Sequence, residues 1–225
     1  MTIGFAPGAD RYHCWIPPGV YRPQTDTGLL RGALHRERIT ARTEVLDLGT
    51  GSGALAVEAS RLGARVTAVD ISWRALATAW CNGLLNGQVM KVRHGDLAAA
   101  VPGRRFDLVI TNPPYVPAPG DGPPRGRARA WDAGTDGRLL IDRICAAAPT
   151  VLRPAGTLLM VHSHLSGVEE SLARLRSGGL SAEVVERTRL PFGPVLRSRA
   201  GWLRERGLVA GRTNEELVVI RAEHT

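Results

Sequence analysis

A short apolar run, Glu44-Val45-Leu46-Asp47-Leu48, breaks into Gly49-Thr50-Gly51-Ser52-Gly53 and resumes as Ala54, Leu55, Val57, Ala59 and Leu62 at helical spacing. Strand, glycine turn and helix in that order are the start of an open α/β sheet, and they narrow the choice of fold more than any other stretch. The glycines let a ligand come close to the backbone, and the turn's amides with the helix start favour a polar or negative group. A second short strand, Val66 to Val69, ends in Asp70, about 20 positions past Gly49, where an acid grips the vicinal hydroxyls of a ribose. Gly49, Gly51 and Ala54 also satisfy the loose dinucleotide pattern, so the turn alone leaves two cofactor classes open.

The chain continues as alternating elements. Before the first strand, Leu29, Leu30, Ala33 and Leu34 recur at helical spacing, with Thr25 or Asp26 available as a cap. Tyr21 to Thr27 is either the lead-in to that helix or a lid over a ligand. A helix runs from a Ser72 cap to Leu85 and stops at Asn86-Gly87; a third strand, Val89 to Arg93, leads to Gly95-Asp96-Leu97. An acid and an apolar residue there can accept an amino hydrogen and cover a purine face, although Asp96 alone reads equally well as a turn cap. A fourth strand spans Phe106 to Thr111. Further strands are expected at 156–161, 182–189 and 216–221, with helices after Arg138 and from Gly167 to about Leu175. His162 and His164 read as polar loop residues, because no acid or cysteine stands nearby at metal-site spacing. The whole is expected to be one domain over residues 1–225, with an N-terminal arm at 1–20 and an arginine-rich insertion at 190–214 between the last two strands.

Asn112-Pro113-Pro114-Tyr115 closes the fourth strand. Two prolines cannot continue a strand or begin a helix, so the chain leaves the sheet extended, with carbonyls unpaired. The Asn112 side-chain oxygen and the Pro113 carbonyl then form a pair of acceptors that suits both hydrogens of a planar –NH2 group. A strand terminator alone would need only one proline. The acids, the glycine turn and this tetrapeptide all fall at carboxyl ends of successive parallel strands, where open α/β sheets bind ligands. Asp47, two positions before Gly49, can meet an ammonium group, which favours a methyl donor over a dinucleotide; the dinucleotide reading also leaves the tetrapeptide without a task.

At 225 residues with 44% hydrophobic side chains, the chain is sized for one packed domain. No apolar run approaches the roughly 20 residues that span a bilayer, and Met1 to Pro7 lacks the pattern of a secretory leader. Cys14, Cys81 and Cys145 are scattered, as expected of reduced thiols in a cytoplasmic protein. A net charge of +8 suggests an acidic partner such as RNA, a ribosome or DNA. Because Lys91 is the only lysine, the excess of arginine also fits a codon bias. The loop at 116–130 and the stretch carrying Arg197, Arg199, Arg204 and Arg206 are each either solvated or a contact surface for such a partner.

These residues resemble class I S-adenosylmethionine-dependent methyltransferases through Asp47 to Gly53, Asp70, Asp96-Leu97 and Asn112 to Tyr115. A narrower resemblance, to the short HemK-type glutamine methyltransferases, rests on Val20-Tyr21-Arg22-Pro23-Gln24-Thr25-Asp26-Thr27 and Ala130-Trp131-Asp132-Ala133-Gly134-Thr135-Asp136-Gly137-Arg138. It implies a Rossmann-like α/β fold with a seven-stranded, mostly parallel sheet, helices on both faces and the last strand antiparallel. It further implies S-adenosyl-L-methionine as donor, no metal, and a protein glutamine as acceptor, as in the GGQ tripeptide of translation release factors. On that resemblance Thr27, Asp47, Gly49, Thr50, Gly51, Gly53, Asp70, Ile71, Asp96, Leu97 and Asn112 hold the donor, and Asn112, Pro113 and Tyr115 serve the transfer. Pro114 and Trp131 join Asn112, Pro113 and Tyr115 in holding the substrate. The helical N-terminal domain of the usual bacterial glutamine methyltransferase is not expected within these residues, and the segment Pro191 to Asn214 is longer than the resemblance to the short members leads one to expect. An amino group of rRNA or DNA, a small-molecule amine, and a module that binds the donor without catalysis are the competing readings. A small activating subunit, known for eukaryotic relatives, is not indicated by the residues themselves.

Overall fold

The computed structural model describes residues 13–120, 124 and 126–224. Part of the 1–20 arm and part of the 116–130 loop therefore lie outside the described residues. The sheet is built from β1 (Glu44–Leu48), β2 (Arg65–Asp70), β3 (Lys91–His94), β4 (Phe106–Thr111), β5 (Leu152–Ser163), β6 (Leu180–Pro191) and β7 (Asn214–His224), in the order β3-β2-β1-β4-β5-β7-β6. Strands β1 to β5 pair in parallel, while β7 runs antiparallel to both β5 and β6. This is the seven-stranded sheet with an antiparallel last strand that the resemblance implied.

Strand alternation divides the core into two layers. Val45, Ile110, Leu159 and Val161 face α1 (Thr25–Leu34) and α2 (Ala54–Arg61), where Leu30, Leu34 and Val57 meet them. Leu46, Leu48, Val109, Leu158 and Met160 face α4 (Ile141–Val151) and α5 (Val168–Ser177), against Ile144 and Leu172. Side chains that alternate with period two place successive residues on opposite faces, so a sheet covered on both sides must be apolar throughout. Fully burying one such side chain contributes about 1.5–3 kcal/mol.

Several boundaries differ from the sequence expectations. β3 begins at Lys91, because Gly87 is left-handed and the Gln88 N–H turns back to the Gly83 carbonyl, so the chain stays on α3 (Trp73–Leu85) for two more residues. β5, β6 and β7 are each longer than expected, since their mutual pairing extends beyond the apolar centre. His162 is a correction: it lies inside β5 and is fully buried, and burial lowers its pKa to about 4. Ser72 caps α3 as expected, accepting from the Ala75 N–H. α1 has no side-chain cap, because the Asp26 carboxylate is drawn elsewhere. The arm from His13 lies across α3, held by reciprocal amide bonds from Asn82 to the backbone of Trp15 and from Asn86 to that of His13.

Candidate active site

The carboxyl ends of β1 to β4 open onto one cavity of about 360 Å³. Every residue that the sequence nominated lines it, apart from Gly53. The glycine turn is fixed from below by Gly49 and Thr50, whose N–H groups both donate to the Val69 carbonyl of β2 (2.9 and 3.0 Å). Gly53 explains its own exception. Its φ is +79°, and a Cβ there would come within 2.7 Å of Ala79, so glycine lets α3 pack directly under the turn.

The acids around this turn do different work. Asp47 is sealed at 1% exposure, and accepts from the Thr50 hydroxyl at 2.6 Å and from the Ala56 N–H. Burial pushes its carboxyl up to about 7, with the Asp70 charge adding to the rise. It therefore braces the turn from beneath as well as lending it charge. Asp70 accepts from the Gly51 N–H at 3.0 Å and the Ser72 N–H at 2.8 Å, which ties the turn to the end of β2. Asp96 is half exposed and paired with Arg143 at 2.7 Å. Leu97 beside it adopts a left-handed backbone (φ +51°), costly for a branched side chain and characteristic of ligand clamps.

Opposite the turn stands Asn112. Its Nδ2 donates to Thr27 Oγ1 at 3.3 Å, which fixes the amide with Oδ1 turned away from that bond. Among the described residues, no donor falls on Asn112 Oδ1 or on the Pro113 carbonyl. Thr27 is fixed in turn by Asp26: its N–H (2.6 Å) and hydroxyl (3.2 Å) both donate to Asp26 Oδ1. The other oxygen of Asp26 accepts from Tyr21 (2.6 Å) and Tyr115 (3.1 Å). Burial, the largest cause, together with the Asp26 charge raises both phenols, so both remain donors. One buried carboxylate thus sets Thr27, Tyr21 and Tyr115 together, and Thr27 sets Asn112.

Sequence reasoning missed Asp26, which it took only for a possible cap. It also missed Glu215, at the start of β7 and 8% exposed, whose carboxyl faces the same cavity. The signal for Asp26 was its place one residue before Thr27 in a segment already singled out. Glu215 offered no local signal, because only the antiparallel return of β7 brings it here. The segment 131–138 is also explained by geometry. Gly137 has φ +76°, and a Cβ on it would lie 2.5 Å from the Tyr115 carbonyl and 2.6 Å from Ser166 Oγ. Arg138 is buried and donates to the carbonyls of Ser166 and Gly167 and to Asp142. This holds the Asn112–Tyr115 exit against the turn after β5, where Ser166 Oγ donates to the Tyr115 carbonyl at 2.7 Å.

The arginine-rich insertion folds as α6 (Pro194–Ser198) and α7 (Ala200–Glu205). Phe192, Leu196, Leu203 and Val209 form a small core with Leu165, and Gly193 to Leu196 roof the cavity. Arg199 is inward-facing, pairing with Asp132 at 2.7 Å and donating to the Pro117 carbonyl at 3.0 Å. Arg197, Arg204 and Arg206 are exposed on the outer side.

The site fits a sulfonium nucleoside on the chemistry of its own residues: a glycine turn with free approach, an acid at the end of β2, and an acid with an apolar neighbour after β3. Comparison with known proteins agrees. Residues 15–121 match the methyltransferase small domain family. A Methanocaldococcus jannaschii protein named as an N5-glutamine methyltransferase is 32% identical over 79% of this chain and 89% of its own. The release factor glutamine methyltransferase of Bordetella pertussis is 40% identical over 73% of this chain, which spans only 64% of that longer relative. Among solved structures, the E. cuniculi Mtq2 protein, determined in complex with Trm112 and described as responsible for methylation of the eRF1 termination factor, is similar. It superposes with a TM-score of 0.65 at 26% identity, covering 92% of this chain and 99% of that one.

Proposed function

The chain belongs to the class I S-adenosylmethionine-dependent methyltransferases of the N5-glutamine, HemK type, and from that membership we propose that its acceptor is the side-chain amide of a protein glutamine, as in a translation release factor. The observation that carries this reading is the orientation of Asn112. With Nδ2 committed to Thr27, Oδ1 is left for a ligand; Asn112 and Pro113 line the same cavity as the glycine turn, and neither Oδ1 nor the Pro113 carbonyl has a donor among the described residues.

S-adenosylmethionine supplies an electrophilic methyl group on a sulfonium. The rest is the work of this chain. Asp47 to Gly51, Asp70 and Leu97 hold the donor, with the roles the family resemblance assigns them. An amide nitrogen is a weak nucleophile because its lone pair is delocalised into its carbonyl. Asn112 Oδ1 and the Pro113 carbonyl each take one N–H, which fixes the plane of the amide and directs the nitrogen at the methyl. The leaving group departs neutral and the methylated nitrogen sheds its extra proton readily, so a strong base is not required. Orientation of this kind can contribute on the order of 7–11 kcal/mol. Tyr115 and Trp131 flank the flat group as walls.

Asn112→Ala is expected to lower kcat on a release factor by at least about a hundredfold, close to 3 kcal/mol, while calorimetry with S-adenosylhomocysteine shows little change. Wild-type turnover in that variant would sink the reading. Exposed Arg197, Arg204 and Arg206 at the roof favour a second reading, transfer to an amino group of RNA by the same two acceptors. Label transfer to free RNA that falls steeply with salt, with none to protein, would select it.

A partner subunit is part of the proposal. β3 is one of the two edge strands of the sheet, and beside it α3 carries Trp73 (71% exposed), Ala77, Trp80 and Leu84 along one stripe, continued by Leu85 and Val89 (87% exposed). A contiguous apolar face of this size beside an unpaired strand edge suits a small protein that pairs with the edge and covers the stripe. The similar Mtq2 protein was solved in complex with a second protein, Trm112.

A further inference from the structure

We propose that Glu215 reads the main chain of the acceptor: its carboxylate takes a peptide N–H next to the glutamine whose side chain Asn112 and Pro113 hold, which makes it a specificity-determining residue of the site. The inference rests on the glutamine reading above.

Sheet order carries the first step. The donor residues stand at the ends of β1, β2 and β3, and Asn112 at the end of β4. Glu215 is the second residue of β7, two strands beyond β4 on the side away from the glycine turn. Because β7 runs antiparallel to β5, its first residues arrive at the same carboxyl edge, where Ser163 pairs with Leu217. Glu215 therefore lines the cavity from the acceptor side.

Its bonding carries the second step. Ser163 donates to the carboxyl group, yet Oε2 is buried and has no hydrogen-bond partner. A buried carboxylate oxygen without a donor costs free energy unless a ligand supplies one. The groups facing it are Asp26, Tyr21 and Tyr115, and no cation among the described residues acts on it. Both tyrosine hydroxyls already donate to Asp26. Burial raises this carboxyl to about 7, and a donor arriving with a ligand would favour its charged form; on this side of β4 the ligand is the acceptor.

The chemistry of a glutamine carries the third step. Its side-chain –NH2 has two hydrogens, and Asn112 Oδ1 and the Pro113 carbonyl take both. A third acceptor thus meets donors that a protein-bound glutamine has and a simple primary amide lacks, its flanking main-chain N–H groups.

The test uses the full chain and a release factor assembled by ligation around a synthetic GGQ segment, so that single peptide bonds near the glutamine can be made esters, each lacking one N–H. Glu215→Ala is expected to raise KM about tenfold or more, the scale of a lost hydrogen bond to a charged group, with kcat within about threefold and S-adenosylhomocysteine affinity unchanged. One ester should weaken the wild type by a similar factor and leave Glu215→Ala no worse. If that variant does not fold, Glu215→Gln, which keeps the shape but not the charge, is read against the same esters. Equal sensitivity of wild type and variant to every ester, or a loss confined to kcat, overturns the inference. A wild type that is active on the all-amide factor while the ester pattern fails leaves the function standing. A wild type that transfers nothing to glutamine overturns both.

Discussion

At the scale of single residues, the site depends on one chain of hydrogen bonds, Asp26 to Thr27 to Asn112. Thr27 was nominated as a donor ligand, and it does line the cavity, but its hydroxyl is also the only described acceptor of the Asn112 amide. Thr27→Val keeps the volume and removes that acceptor. The amide is then free to rotate and present Nδ2 where Oδ1 is needed. We expect kcat to fall about tenfold, the worth of roughly one hydrogen bond, with much less change in the affinity for S-adenosylhomocysteine measured by calorimetry. A variant that lost donor affinity and kept kcat would return Thr27 to the donor end. The residues legible in the sequence were those whose role is written into a local motif: the glycine turn, Asp70, and Asn112 with its prolines. Asp26 and Glu215 were not legible in that way: Asp26 joins its neighbours Tyr21 and Thr27 to Tyr115, 89 positions away, and Glu215 stands on a strand that only the finished sheet brings into place. His162 misled for the opposite reason. A histidine after an apolar run looks like a loop residue until the pairing of β5 with β7 extends past it.

At the scale of elements, the exit of β4 is shaped from outside. An Asn followed by two prolines leaves the sheet but does not determine where it goes; the segment 131–138 and the turn after β5 do that. Val116 accepts from and donates to this segment in a short parallel bridge, and Ser166 holds the Tyr115 carbonyl. Gly137 permits the contact, being left-handed and pressed against Tyr115 and Ser166. Gly137→Ala is expected to impose left-handed strain of about 1 kcal/mol or more and to push the Tyr115 carbonyl away. The melting temperature should drop by about 2–4 °C for each kcal/mol lost, and kcat should fall further than Tm suggests. A variant unchanged in both would mean that the exit holds its own shape. The insertion shows how far an element can differ from its composition. Arg199 looked like one more surface charge, yet it anchors the roof to Asp132 and Pro117, and the apolar residues between the arginines form a core of their own.

For the whole molecule, the two edge strands of the sheet are guarded differently. β6 is one edge, and its long antiparallel pairing with β7 carries ion-paired arginines along it. At the other edge β3 spans four residues and, among the described residues, pairs with β2 alone, and the flanking α3 turns two tryptophans and two leucines outward. The stacking of Trp73 on His94 at 4.1 Å binds that stripe to the edge strand, making the two a single surface. Ordinary soluble domains blunt such edges with charge or cover them. Here Lys91 and Arg93 are the charges on the edge, and they leave the tryptophans bare. Expressed alone, the chain is therefore expected to self-associate; coexpressed with a small Trm112-type subunit from the same cell, it should elute as a one-to-one complex in size-exclusion chromatography with light scattering. Trp80→Glu should abolish that complex while the isolated variant, now less sticky, still binds S-adenosylhomocysteine, since Trp80 lies outside the cavity. A wild type that is monomeric and fully active by itself would show that the bare edge recruits nothing. A symmetric dimer lost in Trp80→Glu would instead make the partner a second copy of this chain.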